Sequence, residues 1–513
     1  MKEQFKIKPA GFEVNSNIIK KKSHMISKIW FILFFAGTTI LSLGLAVVFW
    51  GTSTFQNAIL SQLELKNGTQ TFEWWERPPV HPMLKVRIFN YTNVEAYKTG
   101  NASKLLVEEV GPYIYKEIMT RVNVRFNENG TVTYQENVTH EWIGGRPDTE
   151  IIRVPNLPLI MAVQKVKDMN YFTQVFVTAG LSMLEAEPFK LLTVKEYLWG
   201  YTDNLLETAH NIPMATEVED KVGMLMKRAG LSKDRITVHT GNGDIDKLGL
   251  YEELNGVKSL RVWGDEECDK IEGTDGSMFP PNIIRDLDAP LDIYTRDICR
   301  KLSLKFHSTN TSFGIPSLRY KLAEDVFTAS STENSCFCEK TVQDSKRTIQ
   351  SCPPAGVFNV SACQSGVPLL ISFPHFYLGE KILLKNVDGL NPNADLHETY
   401  LDVHPRIGTP IGGWSRMQLN LQVTVVPTVP VLDLLKDGMI LPMFWFEIGI
   451  DSMPEVILGI LKQAYFTADT VETTFKWGSL LCTVLSTCAL AFMAKKYSSS
   501  IQLTRSATLQ RLT

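Results

Sequence analysis

The run Ile29–Trp50, IWFILFFAGTTILSLGLAVVFW, holds 22 residues without a charge. At about 1.5 Å per residue, a helix of this length crosses a hydrocarbon core of about 30 Å. Gly37 and Gly44 would weaken a soluble helix but are ordinary in a membrane span. The other reading is a cleaved signal peptide, whose apolar core is normally shorter than this run. A second uncharged run of 18 residues, Trp477–Ala494 (WGSLLCTVLSTCALAFMA), follows Phe475 and Lys476 and stops at Lys495–Lys496. A buried core helix would not end so abruptly on two lysines, so both runs are predicted to be transmembrane helices.

The flanks set the orientation. Residues 1–28 hold seven lysines against Glu3 and Glu13, and residues 495–513 hold four cations and no acid. The positive-inside rule places both tails in the cytoplasm. The 426 residues of 51–476 then carry a net charge of −12 within a chain whose total is −3, and form one outer domain that begins and ends at the same membrane face. With 44% hydrophobic and 21% charged residues over 513 positions, wholesale disorder is excluded. The near-neutral total excludes a dedicated nucleic-acid binder.

Sequons and cysteines agree with a lumenal or extracellular loop. Asn67, Asn90, Asn101, Asn129, Asn137, Asn310 and Asn359 head Asn-x-Ser/Thr triplets, which predict glycosylation there. Cys482 and Cys488 lie in the second span. The other six, Cys268, Cys299, Cys336, Cys338, Cys352 and Cys363, fall within 96 residues of the loop. An even number in an oxidising compartment reads as a disulfide framework, with about 15 pairings open. Cys336-x-Cys338 has no histidine near it in sequence, so no metal site is expected.

Alternation with a period of two runs through the loop. RVNVRF and TVTYQENV flank Asn129-Gly130 and read as a hairpin, with Val122, Val124 and Phe126 facing Val132, Tyr134 and Val138. Met417–Val425 puts Met417, Leu419, Leu421, Val423 and Val425 on one side and mostly polar residues on the other. Lys85–Asn90, Arg235–Thr240, Leu318–Leu322 and Met443–Ile448 are further strand candidates. The pattern predicts a mainly-β body, a large irregular antiparallel barrel or sandwich. Helical spacing interrupts it. Phe55–Leu65 is read as a continuation of the first span. Leu157–Glu187 carries Leu159, Val163, Val166, Met169, Phe172 and Phe176 in phase, with a break at Gly180. Glu217–Ala229 is read as a third helical piece, stopped at Gly230. Residues 157–230 would be a helical cap on the β body.

Nothing points to catalysis. G-x-S-x-G, H-E-x-x-H, G-x-x-x-x-G-K-[ST] and G-x-G-x-x-G are all absent. Gly241–Asp246 lacks the helix start of a phosphate loop and the glutamate of a calcium loop, and is read as a turn. His375, His397 and His404 have no metal-ligand spacing and are read as structural. Glu266-Glu267 is read as a solvated face. No cofactor is called for.

Eight segments, in order along the loop, resemble the class B scavenger receptors, the family of the fatty-acid translocase, lysosomal integral membrane proteins and insect sensory-neuron membrane proteins. They are Glu109-Val110-Gly111-Pro112-Tyr113, Leu198-Trp199-Gly200-Tyr201, Asp297-Ile298-Cys299-Arg300, Gly314-Ile315-Pro316, Cys336-Phe337-Cys338, Phe373-Pro374-His375-Phe376, Gly389-Leu390-Asn391-Pro392 and His397-Glu398-Thr399-Tyr400-Leu401-Asp402. The resemblance implies a membrane protein with two transmembrane helices and a β-barrel ectodomain, a helical-bundle apex over residues 157–230 and an apolar tunnel. It implies the pairs Cys268–Cys336, Cys299–Cys363 and Cys338–Cys352 within a disulfide region over 268–363. It also implies partners that are lipids or lipoprotein-like particles, and leaves a homo-oligomer open. Some members carry lysines just before the Leu-Trp-Gly-Tyr segment, where this chain has Glu185 and Glu187. Lys165, Lys167, Lys195, Lys227 and Arg228 are the candidates for a basic, ligand-binding apex instead. Neither tail has a cysteine, and the C-terminal tail has no acidic-dileucine signal, which favours the plasma membrane. The expectation is a non-enzymatic cell-surface receptor that takes up sterol, carotenoid or fatty acid. Recognition of apoptotic cells or microbes without lipid transfer is the alternative, as is trafficking of a soluble protein.

Overall fold

The structure is a computed structural model that describes residues 12–210, 220–329, 334–344 and 347–509. Two compact units divide the chain, one of residues 1–62 with 462–513 and the other of residues 63–461.

The first unit is built on two long helices, α1 (Phe12–Gly51) and a C-terminal helix over Ala468–Leu509. Both contain a stretch long and apolar enough to cross a membrane. Where they meet, the contacts are those expected of helices that gain nothing from burying apolar surface in lipid. Thr39 Oγ1 lies 2.8 Å from Ser486 Oγ, and Thr483 Oγ1 lies 2.8 Å from Ser42 Oγ. Nearer one end, Phe49 stacks on Phe475, and the Trp50 indole N–H donates to the Lys476 carbonyl. Past Gly51 the chain breaks for two residues and re-enters a helix only at Thr54–Leu60, so the expected continuation of the first span is interrupted.

The second unit is organised by a fifteen-stranded sheet. Its main strands are β1 (Met83–Tyr91), β2 (Leu105–Phe126), β3 (Thr131–Gly145), β4 (Ile236–His239), β5 (Tyr251–Leu254), β6 (Leu291–Thr295), β7 (Arg300–Ser312), β8 (Ile315–Leu322), β9 (Leu369–Ser372), β10 (Tyr400–Val403), β11 (Pro410–Gln422) and β12 (Ile440–Gly449). The order is β5-β4-β3-β2-β1-β12-β11-β10-β8-β7-β6, every neighbour antiparallel, with β9 paired to β11. Every strand read from alternation is present. The turn between β2 and β3 spans residues 127–130, with Gly130 at φ 75° and the Asn127 N–H bonded to the Thr131 carbonyl. That left-handed residue is why glycine stands there. A bulge at residues 123–124 of β2 shifts the register, and nearby Arg121 is buried against Trp75, Tyr134 and Asp275.

β11 departs from the expected alternation. Gln418 and Asn420, on its polar side, have no exposed surface, whereas Met417 and Leu419 are only half-buried. Other chain segments cover the outer side of the sheet here, so both faces of β11 are interior.

The helices also differ from the periodicity reading. Residues 157–187 form two helices, α2 (Leu157–Val166) and α3 (Tyr171–Met183). The break lies at 167–170, where the Asn170 side chain accepts the Thr173 N–H as an N-cap, and Gly180 is inside α3. The new helix starts in a different phase. Leu159, Val163 and Val166 of α2 are buried, but Phe172 and Phe176 of α3 are 83% and 75% exposed. Within the described part of Glu217–Ala229 there is no α-helix. Residues 220–229 give a two-residue strand, Lys221–Val222, and a 3-10 turn, Met226–Arg228. Gly200 and Gly223 explain the extended path, since a Cβ on Gly223 would lie 2.5 Å from the Gly200 nitrogen. Residues 217–219 lie outside the described residues.

Three disulfides, Cys268–Cys336, Cys299–Cys363 and Cys338–Cys352, tie the segments beside β6, β7 and β9.

Candidate functional site

Between α2 and the β9–β11–β12 wall lies a cavity of 220 Å³. The wall contributes Leu369 and Ile371 from β9, Met417 and Leu419 from β11, and Phe446 from β12. Opposite stand Leu157 and Met161 of α2 and residues Val222–Met226, which run from the two-residue strand into the 3-10 turn. Alternation along β9 and β11 makes this lining apolar, because one face of each strand points inward. Four methionines, Met161, Met224, Met226 and Met417, bring flexible thioethers that adapt to irregular apolar shapes.

The rim is polar. Lys227 and Arg228 come from the 3-10 turn, Asp297 from the residues before β7, and Gln364 from the loop before β9. Arg228 Nη1 lies 3.2 Å from Asp297 Oδ2, and its guanidinium is 5.6 Å from the Phe446 ring centre. Gln364 Nε2 donates to the Asp297 carbonyl at 2.6 Å. The Cys299–Cys363 bond joins the two rim segments next to these residues, so the rim is braced covalently as well as by hydrogen bonds.

A larger cavity of 780 Å³ opens beside α3, and its lining is charged. Glu185 and Glu187 line it, as do Glu95, Lys98, Arg153, Lys190 and Asp203. Most of these charges are paired across it: Lys98 with Glu187 at 3.3 Å, Arg153 with Glu95 at 3.5 Å and Lys190 with Asp203 at 2.5 Å. An apolar molecule fits the smaller cavity better than this one, where it would strip water from charges.

Of the five basic residues singled out in the sequence, Lys227 and Arg228 stand at the apolar cavity. Lys165 on α2, Lys167 just past its end and Lys195 are exposed and do not line it. Asp297, Gln364, Phe446 and the four methionines were not singled out as site residues in the sequence, because they come from separate segments that only the fold brings together. Of the seven sequon asparagines, Asn67, Asn101 and Asn129 are exposed, and Asn90, Asn137, Asn310 and Asn359 are half-buried.

The three histidines singled out in the sequence, His375, His397 and His404, fall into two places. His375 and His397 stack at 4.6 Å between ring centres, with planes 8° apart, behind the β11 wall. The His375 Nε2 is 2.5 Å from Glu109 Oε2, which also accepts the Trp445 indole N–H at 2.9 Å. Burial raises the Glu109 pKa, but these two hydrogen bonds together with nearby charge, including that of Arg87, outweigh it, and the carboxyl sits below its ordinary range. His404 is buried apart from them, accepting the Arg406 N–H at Nδ1. The cluster of acids and cysteines formed by Asp265, Cys268 and Cys336 is consumed by the Cys268–Cys336 bond, and therefore offers no thiolate to a metal.

Comparison with known proteins is consistent with this architecture. The CD36 family model matches residues 35–494. Rat lysosome membrane protein 2 is 34% identical over 398 residues, covering 76% of this chain and 80% of that protein. The human form of the same protein is 31% identical over 398 residues, with the same coverage. Rat scavenger receptor class B member 1 is 29% identical over 417 residues, covering 80% of this chain and 79% of that protein. Two apolar helices near the chain ends, a mainly antiparallel middle region and a match of this extent lead to one conclusion: the chain belongs to the CD36 family.

Proposed function

We propose that this protein is a non-enzymatic cell-surface receptor that takes apolar lipid from carriers through its outer domain, with both tails cytoplasmic. The observation that carries this reading is the 220 Å³ cavity, with an apolar wall and a polar rim that includes Lys227 and the Arg228–Asp297 pair. It is smaller than the about 300–1,000 Å³ of sites for drug-sized ligands, so it would hold one chain or one end of a longer molecule. Each buried methylene is worth about 0.8 kcal/mol, enough to draw an insoluble molecule from a carrier with no chemical step. The exposed face of α3, with Phe172, Phe176 and Met183, supplies an apolar surface on which a lipid particle would settle. Lys227 and Arg228 would meet the polar end of an amphiphile, while Lys165, Lys167 and Lys195 would meet particle phosphates. Glu185 and Glu187 disfavour a carboxylate at the larger cavity.

The test is to secrete residues 51–476, purify them without detergent, extract with organic solvent and identify bound molecules by mass spectrometry and visible absorbance. Near-stoichiometric sterol, fatty acid or carotenoid is expected and would name the cargo. A folded, disulfide-bonded domain that is empty and refuses added lipid would overturn the reading.

A further inference from the structure

Methionine is gathered around the apolar cavity and scarce elsewhere in the interior. The chain has 16 methionines among 513 residues, so nineteen lining residues drawn at random would include fewer than one. The cavity has four, Met161, Met224, Met226 and Met417. The buried apolar core holds only Met439 and Met443 among the described residues. Methionine is therefore not the general filler of this fold. The four also reach the cavity from three separate places: α2, the segment 222–226 and β11.

The backbone frame of the cavity is fixed, and these side chains are not. On the wall, Met417 stands opposite Phe446 and Leu419 opposite Ile371 in antiparallel register. Across the cavity, the Met224 N–H donates to the Tyr197 carbonyl at 3.0 Å and the Leu225 N–H to the Leu198 carbonyl at 2.8 Å, which ties the segment down. A Cβ on Gly200 would lie 3.1 Å from Met226 Sδ, so the bare glycine leaves the thioether its place. All four methionines are half-buried, and none is enclosed on every side. An unbranched side chain with three rotatable bonds can then reshape the cavity while the strands stay in register. A cavity of 220 Å³ needs such reshaping to take a bent chain as well as a straight one.

We propose that Met161, Met224, Met226 and Met417 set the breadth of the cavity's specificity, so that straight and bent hydrocarbon chains bind with nearly equal affinity. A rigid apolar pocket separates ligands that differ by one methylene about 10- to 200-fold. A pocket whose lining can re-pack gives up that discrimination and gains range. The inference rests on the function proposed above, in that it takes the cavity to hold an apolar chain. Leucine is the informative replacement. It keeps the apolar character and nearly the volume of methionine, but it is branched and has fewer rotatable bonds.

The test is displacement of dansylundecanoic acid from the full-length protein in amphipol, with empty amphipol subtracted. The competitors are two pairs of cis and trans isomers, petroselinic with petroselaidic acid and oleic with elaidic acid. The members of a pair contain the same atoms, so the ratio of their affinities measures shape alone, and the two pairs place the bend at two depths. In the wild type each ratio is expected to stay within about threefold. In M161L/M224L/M226L/M417L at least one ratio should widen about threefold or more, toward that of a rigid pocket. A wild-type ratio above about threefold, or a quadruple variant whose ratios widen less than that, would overturn the inference while leaving the receptor reading in place. If the dye and all four acids bind no better than to empty amphipol, the receptor reading falls and the inference with it. Should thermal melts show the quadruple variant unfolded, M224L/M226L is read by the same criterion.

Discussion

The exposed face of α3 gives the sharpest test, because sequence and structure disagree about it. Helical phase puts Phe172 and Phe176 in the core, where a Phe→Ala change would cost about 3–5 kcal/mol each. The structure leaves them 83% and 75% exposed. The double change F172S/F176S should therefore alter folding stability by no more than about 1 kcal/mol, as for surface sites generally, and move Tm by less than about 3 °C. Binding to a lipid surface should respond very differently. A phenyl ring moved fully out of water is worth about 1.5–3 kcal/mol. If each ring enters the particle surface about half-way, the pair contributes about 1.5–3 kcal/mol, which is roughly 10- to 150-fold in affinity. The assay is surface plasmon resonance of phospholipid–triolein emulsion particles over immobilised full-length protein, with thermal melts in parallel. A fall in Tm above about 5 °C would show that the rings are core after all. Unchanged affinity at unchanged Tm would refute α3 as the docking face.

Met417→Trp or Leu419→Trp should narrow the 220 Å³ cavity and reduce binding of fluorescent sterol and fatty-acid probes at least about tenfold, at an overpacking cost of about 1–3 kcal/mol read by urea melts. Acid should destabilise the unit of residues 63–461 through His404, which burial lowers to about 4. The unfolded chain, titrating near 6.5, binds the extra proton first, so this contribution is complete above pH 6.5 and is lost as pH falls toward 4. That is at most about 3 kcal/mol, visible in urea melts at pH 7.5, 5.5 and 4.5 and flattened in His404→Asn. Burial raises the pKa of Asp275, but the Arg121 guanidinium 2.8 Å away outweighs it and holds the carboxyl below its ordinary range. Asp275→Asn strands a buried cation and should cost about 3–5 kcal/mol by thermal melt, whereas Arg121→Met combined with Asp275→Leu should cost much less.

Much of the architecture can be read in the chain itself. The two uncharged runs are legible because length and absence of charge are local properties, and so is the period-two alternation of β1, β3, β4 and β8. The helix break at residues 167–170 was not, since an apolar phase that appears continuous from Leu159 to Phe176 conceals a cap at Asn170 that starts a new helix. Residues 220–229 carry helical spacing, yet the close approach of Gly200 and Gly223 draws them out as the far wall of a cavity. On β11, the identity of the inner face could be read, but not the burial of Gln418 and Asn420, because that depends on what covers the sheet from outside. His375 and His397 are 22 residues apart in sequence and stacked in space. The sequence by itself thus determined the spans, the strand-rich body and the even set of six loop cysteines, all of which follow from local spacing and composition. Which cysteines pair, which methionines and cations meet around one cavity, and which rings stack behind its wall were decided only by the tertiary structure, because each depends on where distant segments cross.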